Sequence, residues 1–221
     1  SKFYKLKPKN IIAVTGTNGK TSVADLFYQI LKINKMPVAS IGTLGVKYND
    51  KTIKTNLTSP DTISLHKNLQ FLKKKKIENV IIETSSHGLD QKRMHHINFR
   101  GAIFTNFSQD HLDYHKTMRS YLDAKLVLFR EILKTRNTII SDQEIKTYSF
   151  LRKIAKRKNF KLLDIKKEFE EIKNNYPNFN SEFKIKNLAM AIKAAKLCNL
   201  NETLIRKSIK KLKDVNGRLE L

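Results

Sequence analysis

The chain has 221 residues, 40% of them hydrophobic, and its 44 Lys and Arg residues against 20 Asp and Glu give a formal net charge of +24. A chain of this length and composition can bury a core of its own, which argues against disorder, and its apolar runs are far shorter than the ~20 residues of a membrane helix. With one cysteine, Cys198, it can form no intramolecular disulfide, so we expect a reducing, cytoplasmic setting.

Strand-like and helix-like segments alternate along the sequence. Continuous apolar runs predict buried strands at residues 11–15, 38–41, 80–83, 102–105, 138–141 and 160–163. Periodic segments between and after them predict helices at about 21–34, 61–76, 117–134, 142–157, 187–198 and 202–212. This alternation predicts an α/β fold with a mostly parallel sheet and helices on both faces.

The segment TGTNGKT at residues 15–21 lies where the first predicted strand ends and the first predicted helix begins. Small residues there allow backbone N–H groups to face a phosphate, Lys20 can reach the phosphate oxygens, and the Thr21 hydroxyl can ligate Mg²⁺. A strict phosphate-binding loop would have glycine in place of Val14, so the segment is a variant P-loop and the fold is predicted to be of P-loop type. The alternative is an ordinary glycine turn before a helix.

Polar side chains follow the third and fourth predicted strands. Glu83 ends the run NVIIE, where a carboxylate can hold the metal of a nucleotide site at the carboxyl end of a parallel strand. The fourth strand is followed by NFSQDHLDYH, which supplies Asn106, Asp110, His111, Asp113 and His115. The alternatives are a solvated strand-end glutamate and histidines with a structural role, and a structural role is favoured for His115.

Lys125 lies on the apolar side of the predicted helix 117–134, three residues after Leu122. A lysine that points inward must either extend to solvent or lose its charge. Burial lowers the pKa of an ammonium group, and the neutral amine can add carbon dioxide to give a carbamate, which is an anionic metal ligand. Periodicity alone favours a lysine whose stem is buried and whose amine reaches solvent.

The net charge of +24 raises the question of nucleic-acid binding through phosphate contacts. The lysines are spread over the whole chain, however, and no aromatic residues alternate with them to stack bases. A solvated lysine-rich surface is therefore the favoured interpretation, and no nucleic-acid partner is expected. A basic nucleotide-dependent nucleic-acid-binding module stays as the distant alternative.

Six segments taken together resemble the central ATPase domain of the Mur ligases. They are TGTNGKT (15–21), ETSSHGLDQKR (83–93), FTNFSQDHLDYHKTM (104–118), DAK (123–125), KNLAMAI (186–192) and NGRLE (216–220). Within the family, SSHGL-x-Q-x-R and DHLDYH resemble the branch that adds the third residue to UDP-N-acetylmuramoyl-L-alanyl-D-glutamate. The resemblance implies an ATP- and Mg²⁺-dependent amide ligase of peptidoglycan synthesis that works through an acyl phosphate. Another Mur ligase or a folylpolyglutamate synthetase-like ligase is the alternative.

The resemblance also implies roles for individual residues. Those implied to bind ATP are Gly16, Thr17, Asn18, Gly19, Lys20, Thr21, Asn187 and Arg218. Those implied to hold magnesium ions are Thr21, Glu83, His111 and Lys125, the lysine as a carbamate. Those implied to hold the UDP-sugar peptide are Thr58, Ser59, Ser85, Gln91 and Arg93. The implied catalytic residues are Lys20, His111 and Lys125.

Three departures from the family pattern lie near the implied adenine site. Residues 164–186 are short and lysine-rich where the family has additional strands, Phe183-Lys184 stands for Phe-Asn, and SDQE (141–144) stands for Asn-Ala-Asp-Asp. The resemblance further implies a single central domain over residues 1–221, with a basic lead-in at 1–9, taken from a longer chain with an N-terminal UDP-binding domain and a C-terminal domain. We expect this chain to be monomeric and unable to ligate alone. The amino acid added is left open between meso-diaminopimelate, the default, and L-lysine.

Overall fold

In a computed structural model the described residues are 6–55 and 57–213. Their strands are β1 (Asn10–Thr15), β2 (Val38–Gly42), β3 (Gly45–Tyr48), β4 (Lys51–Ile53), β5 (Asn79–Glu83), β6 (Gly101–Phe104), β7 (Thr138–Ser141) and β8 (Lys161–Asp164). Six of these strands correspond to the predicted ones, which are confirmed to within one residue at each end. The hairpin of β3 and β4 was not predicted.

The helices are α1 (Lys20–Ile33), α2 (Thr62–Lys74), α3 (Ser86–Asp90), α4 (Leu112–His115), α5 (Met118–Val127), α6 (Tyr148–Lys158), α7 (Lys166–Asn175), α8 (Glu182–Leu197) and α9 (Glu202–Ile209). The predicted helix 117–134 is α5 continued by a π-helical turn at Leu128–Ile132, and the predicted helix 142–157 starts later, at Tyr148. Helix α8 starts earlier than predicted because the Ser181 hydroxyl caps it by accepting a hydrogen bond from the Lys184 N–H. Helices α3, α4 and α7 were not predicted.

Within the described residues the strands form one sheet in the order β4-β3-β2-β5-β1-β6-β7-β8. Strands β2, β5, β1, β6, β7 and β8 run parallel, and β3 and β4 extend the sheet as an antiparallel edge. The prediction of a mostly parallel α/β sheet is therefore confirmed. In such a sheet the carboxyl ends of the parallel strands meet at one edge, where ligands usually bind, and the amino ends meet at the other.

Alternate residues of the central strands pack on opposite faces of the sheet. In β1, Ile11 and Ala13 belong to the core formed with α2, α5 and α6, whereas Ile12 and Val14 belong to the core formed with α1, α7, α8 and α9. Helices thus cover both faces, as predicted. No helix in residues 6–55 or 57–213 is both long enough and apolar enough to cross a bilayer.

Candidate active site

The loop from Gly16 to Gly19 joins the carboxyl end of β1 to the first turn of α1. Gly16 has a φ of 142° and Gly19 a φ of 82°, conformations that favour glycine. A Cβ atom on Gly16 would lie 1.9 Å from Oγ1 of Thr105, and one on Gly19 would lie 2.5 Å from Oδ1 of Asn187. Both glycines are therefore required by backbone conformation and by close packing. The first turn of α1 presents N–H groups that have no partner within the helix, an arrangement that binds anions.

The segment that follows β6 holds this loop in place. The Thr17 N–H donates to the carbonyl oxygen of Asn106 at 3.0 Å, and the Asn18 N–H donates to the Oδ1 of Asn106 at 2.9 Å. The Lys20 Nζ donates to the carbonyl oxygens of Gly16 at 3.0 Å and Thr17 at 2.7 Å. A positive charge is consequently held along the loop.

Glu83 lies at the end of β5, next to β1, and is 2% exposed, so it is not the solvated residue of the alternative interpretation. Its Oε2 accepts a hydrogen bond from the Thr21 hydroxyl at 2.8 Å, and its Oε1 accepts one from the Thr43 N–H at 3.0 Å. Burial raises the pKa of the Glu83 carboxyl, and the hydrogen bonds from Thr21 and Thr43 oppose this shift. Because Mg²⁺ prefers carboxylate and hydroxyl oxygens, Thr21 and Glu83 fit a magnesium ion bound beside the loop.

Lys125 is buried in α5, with 1% of its surface exposed. Its Nζ donates to the carbonyl oxygen of Gly16 at 2.8 Å and lies 4.3 Å from the ring centre of Tyr121. The predicted inward orientation is confirmed, and the interpretation that the amine reaches solvent is wrong because the side chain ends against the loop instead. Burial, and then the positive charge of Lys20, lower the pKa of Lys125 to about 6. The amine is therefore mostly neutral at pH 7.

Tyr121 lies between Lys125 and His111. Its hydroxyl donates to the Thr17 Oγ1 at 3.3 Å, and its ring centre lies 5.8 Å from that of His111. The His111 side chain is 41% exposed, and its Nε2 lies 3.5 Å from the Oδ2 of Asp110. Among residues 6–55 and 57–213, no three His, Cys, Asp or Glu side chains are close enough together to hold a metal by themselves. A second metal at His111 would thus need a further ligand, for which a carbamate on Lys125 has the required charge.

The residues implied to hold the UDP-sugar peptide share a hydrogen-bond network that begins at Glu83. The Ser59 hydroxyl donates to the carbonyl oxygen of Glu83 at 3.0 Å, and the Ser85 N–H donates to the Ser59 Oγ at 2.9 Å. The Arg93 Nη1 donates to the carbonyl oxygen of Ser59 at 2.7 Å, and its Nη2 donates to the Gln91 Oε1. The structure therefore brings these side chains together beside the candidate metal site.

Thr43, which the sequence analysis missed, links Thr58 to this network. Its N–H and hydroxyl donate to the Glu83 carboxylate at 3.0 and 3.2 Å, and its Oγ1 lies 3.1 Å from the Oγ1 of Thr58. The signal was present in the sequence, because Thr43 follows a buried strand just as the polar residues after β5 do. The sequence analysis also missed Tyr121, because one aromatic residue in a predicted helix is not a motif that marks a functional site.

Two histidines near His111 have different settings. His115, for which a structural role was favoured, is buried, and its ring centre lies 4.7 Å from that of Tyr114 and 5.2 Å from that of Tyr121. His87, which the sequence analysis did not select, lies with its ring centre 5.0 Å from that of His111. Burial lowers the pKa of both His87 and His115.

Asn187, implied to contact adenine, lies on α8 and is 3% exposed. The close approach of its Oδ1 to Gly19 places it directly against the P-loop. The structure therefore brings this residue to the nucleotide side of the site. Arg218, the other residue implied to lie near the nucleotide, is outside the described residues.

Lys186 joins two of the segments that depart from the family pattern, residues 164–186 and SDQE (141–144). Its Nζ lies 2.7 Å from the Asp142 Oδ2, 2.6 Å from the Glu182 Oε1 and 3.3 Å from the Glu144 Oε2. Burial alone would lower the pKa of Lys186, but the hydrogen bonds to these carboxylates prevail and raise it. The SDQE segment thus anchors the start of α8, and residues 164–186 hold α7 where the family pattern has additional strands.

The variant P-loop, its Thr21 and the buried carboxylate of Glu83 meet at the carboxyl edge of a parallel sheet. Together they define the chain as a nucleotide-binding α/β domain. A family profile described as the Mur ligase middle domain matches residues 14–201. Because this match covers most of the chain, the chain belongs to the Mur ligase family.

The relatives of this chain include two that are named UDP-N-acetylmuramoyl-L-alanyl-D-glutamate--2,6-diaminopimelate ligase. The one from Rickettsia montanensis is 35% identical over 243 residues, covering 99% of this chain and 51% of the relative. The one from Anaplasma marginale is 40% identical over 162 residues, covering 72% of this chain and 34% of the relative. The chain thus spans about half the length of the Rickettsia ligase it matches.

Solved structures give the same picture of the fold. A structure of UDP-N-acetylmuramoyl-L-alanyl-D-glutamate--2,6-diaminopimelate ligase is similar with a TM-score of 0.81 at 25% identity, over 99% of this chain and 49% of that one. Folylpolyglutamate synthase from Mycobacterium tuberculosis, complexed with ADP and AMPPCP, is similar with a TM-score of 0.69 at 13% identity, over 95% of this chain and 60% of that one. The second likeness concerns the fold alone.

Proposed function

We propose that this chain is the ATP-binding middle domain of a cytoplasmic ligase that adds meso-diaminopimelate, as the third residue, to UDP-N-acetylmuramoyl-L-alanyl-D-glutamate. The names of the relatives from Rickettsia and Anaplasma support both the dipeptide substrate and the choice of amino acid. The chain matches about half of the Rickettsia relative, so we further propose that residues 1–221 form one central domain and that ligation needs an N-terminal UDP-binding domain and a C-terminal domain from a longer chain.

One observation carries this proposal: hydrogen bonds between successive residues join the P-loop to the candidate peptide site. It runs from the Thr21 hydroxyl to the Glu83 carboxylate, and from the Glu83 carbonyl oxygen to Ser59 and the Arg93 guanidinium. A ligase that activates a carboxylate with ATP must hold the terminal phosphate and that carboxylate side by side. An arginine at the end of the path is suited to bind a substrate carboxylate through paired N–H groups.

The proposed chemistry has two steps. A substrate carboxylate oxygen bonds to the terminal phosphorus of ATP as the bond to ADP breaks, and the incoming amino group then bonds to the acyl carbon as inorganic phosphate leaves. Lys20 and the first turn of α1 would bind the phosphates of ATP and stabilise the charge that develops on them. Thr21 and Glu83 would hold Mg²⁺, which neutralises phosphate charge when bound. Asn187 would contact adenine.

Lys125 and His111 are proposed to serve a second magnesium ion. Carbon dioxide adds to the neutral Nζ of Lys125, and the new N–C bond gives a carbamate with the release of one proton. The low pKa of Lys125 supports this step because it keeps the amine unprotonated at neutral pH. The carbamate would replace a neutral amine against the loop by an anion able to ligate a metal.

A calorimetric titration of UDP-N-acetylmuramoyl-L-alanyl-D-glutamate tests the proposal, with Mg²⁺ and a nonhydrolysable ATP analogue present. We expect specific binding by the parent and at least tenfold weaker binding by Arg93→Ala. The control is Arg152→Ala, which removes an exposed arginine of α6 and should leave binding unchanged. Equal binding by parent and Arg93→Ala would contradict the placement of the peptide.

Titrations with a folate and with DNA, beside that with the UDP-sugar peptide, separate the rival functions. A folylpolyglutamate synthetase-like ligase would bind a folate and not the UDP-sugar peptide. A nucleic-acid-binding module would bind DNA with an affinity that falls steeply with salt and would ignore the peptide. We propose neither a nucleic-acid partner nor an oligomer, and sedimentation of the protein should give the mass of a monomer.

A further inference from the structure

A cavity of about 490 Å³ lies at the edge of the sheet opposite the P-loop. It is formed by the segments that precede β1, β6 and β7, which are neighbouring strands. Its lining includes Lys7, His95, His96, Ile97, Ile132 and Lys134. Strand β1 has six residues and so separates the two sites by roughly 20 Å, at ~3.3 Å per residue. The cavity is therefore distinct from the candidate nucleotide site.

The charged groups of this cavity are mostly positive. Lys7 is fixed at its wall because its Nζ donates to the carbonyl oxygen of His96 at 2.7 Å. Burial, and then the charge of Lys134, lower the pKa of Lys7, which means that the two ammonium groups repel each other. In the part of the chain that the structure describes, neither lysine forms an ion pair with a carboxylate, although Glu131 also lines the cavity. Two lysines and one glutamate thus face a common space, and in the described residues neither lysine is paired with that carboxylate.

We propose that this cavity binds a small organic phosphate, with Lys7 and Lys134 on its charged group and Ile97 and Ile132 against its apolar part. The volume lies within the ~300–1,000 Å³ of typical small-molecule sites. Lysine ammonium groups bind phosphate as compact charges with several donors, and a doubly charged phosphate suits two of them. An anion between Lys7 and Lys134 would also remove their mutual repulsion.

The histidines can show where a ligand binds, because some of them line this cavity and others lie near the candidate active site. His95 and His96 line the cavity. Burial lowers the pKa of His66, and the charges of Lys7 and His96 lower it further. The other three histidines lie near the candidate active site, where the rings of His111 and His115 are both close to that of His87. Imidazole C–H resonances therefore distinguish a ligand at the amino edge of the sheet from one at the P-loop.

The experiment is a titration of the protein with glucose 6-phosphate, followed by imidazole ¹H–¹³C spectra at constant ionic strength without Mg²⁺. We expect saturable shifts of the His95 and His96 resonances, and at least tenfold weaker binding in the Lys7→Met/Lys134→Met variant. The matched control is Lys153→Met/Lys156→Met, which removes the same charge from exposed positions on α6. If the double variant does not fold, Lys134→Met alone should weaken binding at least threefold.

Two further arms identify the ligand class and the site. Lys20→Met removes a lysine of the P-loop, and the His95 and His96 shifts should persist in it. Citrate tests whether any multiply charged carboxylate binds equally well, and citrate binding that is as tight as that of glucose 6-phosphate, or tighter, would overturn the phosphate assignment. The proposal is also overturned if sodium chloride causes the same shifts, or if only His87, His111 and His115 respond.

Discussion

The Nζ of Lys125 donates a hydrogen bond of 2.8 Å to the carbonyl oxygen of Gly16, so an amine from α5 forms part of the wall of the P-loop. The pKa of this amine is lowered to about 6 by burial and by the nearby Lys20. A neutral amine and a phosphate-binding loop therefore meet at one point of the structure.

Lys125 should form a carbamate when the protein is supplied with ¹³C-bicarbonate at pH 8. Most other lysines are protonated at this pH and react less. We expect a carbamate carbonyl resonance in the parent that is absent from Lys125→Met. Lowering the pH from 7 to 5 takes the neutral fraction of an amine with a pKa of about 6 from roughly 90% to roughly 10%. Acid also reverses the release of the proton that accompanies carbamate formation, so the signal should fall strongly. A signal that persists in Lys125→Met would come from other lysines and would contradict the assignment.

The same lysine should make stability depend on pH. Between its folded pKa of about 6 and its ordinary pKa near 10.5, Lys125 is more protonated in the unfolded chain than in the folded one. The free energy of unfolding therefore rises with pH in this window, by up to about 1.4 kcal/mol per pH unit. Lys125→Met removes this contribution, so the variant should exceed the parent in stability by an amount that shrinks from pH 7 to pH 10. Urea unfolding in carbonate-free buffer measures it, and a difference independent of pH would contradict the burial of the amine.

Gly19→Ala should destabilise the protein through a contact with Asn187. The added Cβ would lie 2.5 Å from the Asn187 Oδ1, at a φ of 82°. We expect a loss of about 2–4 kcal/mol, of which roughly 1–2 kcal/mol arises from the left-handed backbone conformation. In Gly19→Ala/Asn187→Ala the clash is removed and the backbone cost remains, so the two substitutions should be non-additive by at least 0.5 kcal/mol. Additive effects in the urea unfolding of all four proteins would show that the two residues do not touch.

Much of this fold could be predicted because burial leaves a clear pattern in a parallel sheet. Six strands are continuous apolar runs, whereas β4 is fully exposed and β3 includes a lysine, so the hairpin was missed. Its turn at Asn49 and Asp50, both with positive φ, was the available signal, since such residues favour tight hairpins. Helix α7 was missed because Glu168 and Ile172 are its buried residues and such a sparse pattern gives weak periodicity.

Residues of the candidate site could be predicted where a sequence motif marks them, and less well where tertiary packing determines the position of the side chain. The P-loop and Glu83 follow from residue types at strand ends. The depth of Lys125 does not, because periodicity gives the direction of a side chain and not whether its end reaches solvent. The pairing of Lys186 with Asp142 could not be predicted either, since the two residues are joined only by the packing of α8 beside β7.

Lys186→Met should destabilise the start of α8. Asp142 is 4% exposed and would lose its cation, so we expect a loss of about 2–4 kcal/mol in the free energy of unfolding. Adding Asp142→Asn, which removes the buried charge, should restore at least half of that loss. Lys156→Met, on the exposed side of α6, is the control and should change stability by less than about 0.5 kcal/mol. Equal effects of the two lysine substitutions would contradict the anchoring role of Lys186.

The most direct measurement of the central claim is calorimetric binding of a nonhydrolysable ATP analogue with and without Mg²⁺, in the parent and in Glu83→Gln. The substitution keeps the size of the Glu83 side chain and removes its charge. We expect Mg²⁺ to strengthen binding at least tenfold in the parent and to have little effect in Glu83→Gln, with binding lost in Lys20→Met. An analogue that binds equally well in all three proteins, or without response to Mg²⁺ in the parent, would contradict a phosphate and magnesium site formed by the P-loop and Glu83.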